Sequence, residues 1–126
     1  MQEQLQPLLY EANRCREWIE AALEHSSGTH LYEDILHGLL DGRFQLWPAP
    51  KGCIVTEIVT FPRKKVVNGF LAGGDMDDVL SLHDRIVEWA KSQGCTAATI
   101  NGRAGWARVY KSRGWETAHT SLIKEF

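Results

Sequence analysis

Apolar residues recur at helical spacing over the first part of the chain. Leu5, Leu8, Leu9, Ala12, Cys15, Ile19, Ala22 and Leu23 fall on one stripe and predict a single helix. Pro7 suits its first turn, where a missing N–H costs nothing, and Gly28 suits its stop. A shorter helix is predicted from Leu31 to Leu40, with Thr29 as a candidate cap and Asp41-Gly42 closing it. The pattern then changes to that of strands. Phe44, Leu46 and Trp47 predict a short strand stopped by Pro48 and Pro50. Cys53 to Phe61, rich in Ile, Val and Thr, predicts a second, and Val66 to Ala72 a third. Pro62-Arg63-Lys64 joins these two as a hairpin, and Gly73-Gly74 breaks the third strand. Asp75 is a good N-cap for a long helix whose face carries Met76, Val79, Leu80, His83, Ile86, Val87 and Ala90, ending at Gly94. Thr96 to Ile100 predicts a short strand of small residues, buried on both faces. Ala104 to Arg113 predicts a fourth helix, and Trp115 to Phe126 a closing strand.

A helix joining neighbouring strands implies a crossover within a mixed sheet. The fold class is therefore α/β: one domain over residues 1–126, with helices on both faces. Residues 1–43 form two helices, and 44–126 form the sheet with two more.

Composition supports one folded domain. The chain has 126 residues, 44% hydrophobic and 24% charged, a length that buries about two-thirds of the unfolded surface without staples. Cys15, Cys53 and Cys95 lack the spacing of a disulfide framework or a zinc site, and read as buried thiols in a reducing cytoplasm. No apolar run has membrane-spanning length, and the start, MQEQLQPLL, does not read as a signal peptide. A cytoplasmic location is expected.

The net charge of −2 hides a split: residues 1–43 carry eight acids and three bases, and residues 44–126 carry eight acids and eleven bases. Arg103, Arg108, Lys111 and Arg113 cluster without an acid between them. Such a cluster meets phosphate or forms a solvated helix face, and the domain as a whole is not basic enough to favour nucleic acid.

Four stretches carry a family likeness. "GRFQLWP" (Gly42 to Pro48) follows two helices into a sheet; a hairpin ends in Gly73-Gly74 before a helix; "GCTAATI" (Gly94 to Ile100) is a small-residue strand; and "ARVYKSRGW" (Ala107 to Trp115) places a tyrosine four residues before Gly-aromatic. Together they resemble the GCN5-related N-acetyltransferase (GNAT) fold over nearly the whole chain, without the family's usual first strand. "GRAGW" (Gly102 to Trp106) also resembles small GNAT-like proteins of tailed bacteriophages, which implies a virion or assembly component.

The resemblance implies transfer of an acetyl group from acetyl-CoA to an amine. Tyr110 then stands where the family places the acid that protonates the leaving thiolate, a step to which a phenol of pKa near 10 is suited. The other reading of Tyr110 is an aromatic packed in the last helix. Glu57, mid-strand, is a weaker candidate base, or simply a residue on the sheet's polar face. Leu71, Gly73, Gly74 and Asp75 match the pyrophosphate loop in position. The family's leading Arg or Gln is absent there, and Asp75, Asp77 and Asp78 crowd the first helical turn. Three carboxylates favour the helix dipole but repel a pyrophosphate. His83, on an apolar stripe, reads as a satisfied boundary histidine. His25, His30, His37 and His119 show no ligand spacing, so no metal is expected. The five tryptophans, Trp18, Trp47, Trp89, Trp106 and Trp115, cover core edges or anchor protein contacts.

Three functions follow. The first is a GNAT-fold protein with a degenerate acetyl-CoA site, acting through a protein partner or self-association. The second is an active N-acetyltransferase on a small amine or a protein amine. The third is a nucleic-acid-binding module built on the basic cluster.

Overall fold

A computed structural model describes residues 2–101 and 104–126. Its elements are α1 (Gln2–Arg14), α2 (Arg16–Leu23), α3 (Tyr32–Asp41), β1 (Phe44–Ala49), β2 (Gly52–Thr60), β3 (Lys65–Gly74), α4 (Met76–Ser81), α5 (His83–Ser92), β4 (Ala97–Ile100) and α6 (Ala104–Lys111). The four strands form one sheet in the order β1-β2-β3-β4. β1–β2 and β2–β3 are antiparallel, and β3–β4 is parallel, joined through α4 and α5.

Two cores sandwich the sheet. On one face α1, α2 and α3 press Ile19, Leu23, Ile35 and Leu39 onto Cys53, Val55 and Leu71. On the other, Val79, Leu82, Ile86 and Ala90 pack against Ile54 and Val67, flanked by Trp47, Trp89 and Trp106. Strand alternation divides β2 between these cores: Cys53 and Val55 face one way, Ile54 and Ile58 the other. The Cys15 and Cys53 thiols meet in the first core, where the Cys53 thiol is pushed upward by its hydrogen bond to Cys15 and by burial. All three cysteines are free and buried.

Several predicted boundaries move. The first helix is two, broken at buried Cys15, and it starts early enough to put Pro7 inside α1. The third is also two, α4 and α5, meeting at buried Leu82. α3 is closed at its start not by Thr29 but by Asp34, whose carboxylate accepts the Leu31 N–H at 2.9 Å. Pro48 does not stop β1, because an edge strand can spare the N–H a proline lacks. Gly73 and Gly74 do not break β3 but continue it, opposite Cys53 and Gly52.

The largest correction concerns the predicted closing strand. Beyond Trp115 the chain to Phe126 forms no strand. Its first residue is tied elsewhere: the Trp115 N–H donates to the Tyr110 carbonyl at 3.2 Å, and its ring edges onto Tyr110 and His83. A strand pattern forms a strand only where a sheet edge receives it.

Candidate functional site

The parallel pair β3–β4 is short. It runs from Val66↔Ala97 to Gly69↔Ile100 and ends there. The next residue, Phe70, is an extra one in β3, since Val55 pairs with Leu71 and Thr56 with Gly69. This bulge bends β3 away from the line of β4. β3 then runs on to Gly74 and into α4, while β4 is followed by α6.

Tyr110 on α6 is 4% exposed, and its hydroxyl lies 2.9 Å from His83 Nε2 on α5. Aromatic rings close around the pair: Trp115 stands edge-on to both, and Trp106 stacks on Tyr110 with centroids 6.3 Å apart. Burial pushes the Tyr110 phenol up to about 12, against the opposing pull of Arg113. Burial, then the Arg113 charge, lowers His83 from its ordinary value, so the imidazole is neutral at pH 7. With Nε2 bare, the phenol donates to it; with Nε2 protonated, the phenol accepts and its own proton is free for a third group. Beside the pair, His83 and Trp115 join Ile54, Thr56, Val67 and Ile100 around a cavity of about 30 Å³, enough for a water or two and too small for a substrate.

Thr56, the buried polar residue of the sheet, is fully engaged. It accepts from Trp47 Nε1 at 2.9 Å and donates to Gln45 Oε1 at 2.8 Å. Glu57, the next residue, projects to the opposite face of β2 by strand alternation, where α1–α3 pack. The structure thus joins Tyr110 to His83 and leaves Glu57 apart from them. His83 is the partner that sequence reasoning did not find for Tyr110: the two are 27 residues apart, and no local signal connects them.

The predicted pyrophosphate loop has structural duties. Leu71 is buried in the first core. A Cβ on Gly73 would lie 2.7 Å from the Trp18 carbonyl oxygen, so this glycine lets α2 pack on β3. Gly74 has φ +99° and sits against the Lys51 carbonyl, a conformation and a closeness that favour glycine. At the start of α4, the Asp75 N–H donates to the Lys51 carbonyl at 2.8 Å. The Asp75 carboxylate accepts the Asp78 N–H at 3.2 Å, and the Asp78 carboxylate accepts the Lys51 N–H at 2.6 Å. The donors a pyrophosphate would use are thus partly taken by the chain's own carboxylates, with the Asp77 charge in the same turn.

Arg108 and Lys111 lie in the last turn of α6, where they favour the helix dipole; Arg103 and Gly102 lie outside the described residues. All five tryptophans are half-buried. Trp47 and Trp89 meet edge to face at 5.6 Å, and Arg14 covers Trp18. Among the described residues, no three His, Cys, Asp or Glu side chains converge as a metal site, and no helix is long and apolar enough to cross a membrane.

No family model matches the sequence, and no curated protein matches it. Solved structures do match the fold. A putative acetyl transferase from Pyrococcus furiosus superposes with a TM-score of 0.67 at 14% identity, over 94% of this chain and 93% of its own. A ribosomal-protein-alanine N-acetyltransferase from Brucella melitensis biovar Abortus gives 0.62 at 11% identity, over 92% and 96%. An aminoglycoside acetyltransferase from an uncultured soil metagenomic sample, solved with sisomicin, gives 0.60 at 12% identity, over 95% and 87%. The protein has the fold of the GNAT acetyltransferases: a small α/β domain with a four-stranded mixed sheet.

Proposed function

We propose that this protein is a GNAT-fold scaffold that acts through protein contacts, as an assembly component, with a phosphate loop converted to structural use. One observation carries this reading: the Asp75 and Asp78 carboxylates occupy the backbone N–H groups of Asp78 and Lys51 at the start of α4. Charge supports it, since bringing a pyrophosphate to Asp75, Asp77 and Asp78 adds like charges at close range. Fold alone does not make an enzyme.

The hydrogen bond between Tyr110 and His83 favours a second reading, acetylation of an amine with Tyr110 as the acid. Titration calorimetry with acetyl-CoA, and with CoA for comparison, separates the two. The scaffold reading expects no heat at millimolar ligand in the parent. It also expects binding to emerge when Asp77 and Asp78 are replaced by Gly and Ala. Micromolar binding by the parent overturns it, and in that case Tyr110→Phe is expected to lower turnover strongly while the fold is kept.

A further inference from the structure

The first core holds a pair of groups that neither function uses. Cys15 and Cys53 are free thiols, 0% and 1% exposed. Two contacts bring them together. On one side, Arg14 donates from Nη1 to the Pro50 carbonyl at 3.0 Å and from Nη2 to the Ala49 carbonyl at 2.8 Å, which fastens the end of α1 beside the start of β2. On the other, the Trp18 backbone lies against Gly73, the β3 residue paired with Cys53. Cys15, between these two fastenings, is set down over Cys53, and the two sulfurs share a hydrogen bond. Cys95 provides the contrast: it is buried in the second core, apart from both.

A buried cysteine on its own is a small apolar residue. Two in contact, with one of them polarised, are a redox couple. The Cys53 S–H donates to the Cys15 sulfur, and this bond, helped by the Arg14 charge, holds Cys15 below its ordinary value although burial opposes it. Cys53 is pushed upward and stays a thiol. Cys15 is therefore the attacking sulfur. It also stands at the break between α1 and α2, so a bridge from it ties both helices to a central strand. We propose that Cys15 and Cys53 are a reversible redox pair, which hydrogen peroxide converts to a disulfide that staples the α1–α2 junction to β2. The Cys15 thiolate attacks one peroxide oxygen and breaks the O–O bond. The hydroxide that leaves takes up the proton Cys15 gave and becomes water. The Cys15 sulfenic acid then condenses with the Cys53 thiol, the S–S bond forms and a second water leaves. Two thiol hydrogens and two electrons pass to the peroxide in all. Peroxide is little larger than water, and local opening of α1 from the sheet admits it.

Hydrogen peroxide added to the reduced native protein, followed by thiol counting and peptide mapping without reductant, tests this. Two of the three free thiols are expected to disappear, with a mass loss of about 2 Da, a peptide that joins Cys15 to Cys53, and full recovery in dithiothreitol. The oxidised chain is expected to melt above the reduced one, because the bridge closes a long loop of the unfolded chain. Cys95→Ser is expected to react as the parent does. Cys53→Ser is expected to form no bridge and to stop at a Cys15 sulfenic acid that dimedone traps. Should Cys53→Ser lose its fold, Cys95→Ser carries the test, since its only thiols are the proposed pair. Three thiols retained under peroxide, a bridge to Cys95 or to a second chain, a bridge that forms only in urea, or an oxidised chain that melts lower overturns the inference. None of these readouts involves acetyl-CoA, so failure here leaves the scaffold reading to its own experiment.

Discussion

Tyr110 and His83 show how one hydrogen bond ties two distant helices. Replacing Tyr110 by Phe removes the hydroxyl and leaves His83 Nε2 without its partner. We expect a loss of about 1–2 kcal/mol in chemical denaturation, whichever function holds. The pair also sets a pH dependence. His83 is lowered in the folded protein, so the unfolded chain takes up the proton first as pH falls through about 6.5. Stability present at neutral pH is therefore lost toward pH 5, at well under the ~1.4 kcal/mol per pH unit of a fully buried group. His83→Gln is expected to flatten that slope in thermal melts. At the alkaline end the sign reverses: Tyr110 ionises near 10 when unfolded but at about 12 when folded. The native state then holds the extra proton, and stability falls from pH 10 upward.

The start of α4 is the element on which the functional reading turns. If its aspartates act as caps, Asp75→Ala is expected to lower stability by about 1 kcal/mol, because the Asp78 N–H loses its acceptor. If the two glycines before it serve packing, Gly73→Ala is expected to cost about 1–3 kcal/mol by forcing α2 off β3, since the new methyl meets the Trp18 backbone. The acidic turn and the capping role of Asp75 were legible from local chemistry. The clamp from Asp78 to Lys51 was not, because the partners are 27 residues apart and meet only when β2 and β3 pair. The breaks at Cys15 and Leu82 were also hidden: Cys15 read as an ordinary core position in its stripe, Leu82 fell outside the stripe of its helix, and neither is a glycine or proline that would mark a break.

For the molecule as a whole, the two cores share one sheet, with β2 and β3 at its centre. Truncating Ile19 on one face or Val79 on the other removes a fully buried side chain. Each change to Ala is expected to lower stability by about 2–4 kcal/mol in a single shared transition seen by both fluorescence and circular dichroism.

Hydrophobic periodicity alone located the helical regions, the hairpin from Cys53 to Ala72 and the strand after Gly94, because each side of the sheet demands its own apolar pattern at short range; that strand is half-buried at the sheet's edge and not buried on both faces as its small residues suggested. The same pattern expected a strand after Trp115, and there it failed. Whether a strand forms depends on a free edge within reach, and α6 anchors Trp115 away from the edge of β4. The joining of Tyr110 to His83, the separation of Glu57 from both, and the filling of the α4 start by its own carboxylates were likewise settled only in three dimensions. Each depends on which residues, far apart in the chain, the sheet brings within hydrogen-bonding distance, and spacing along a sequence carries no record of that.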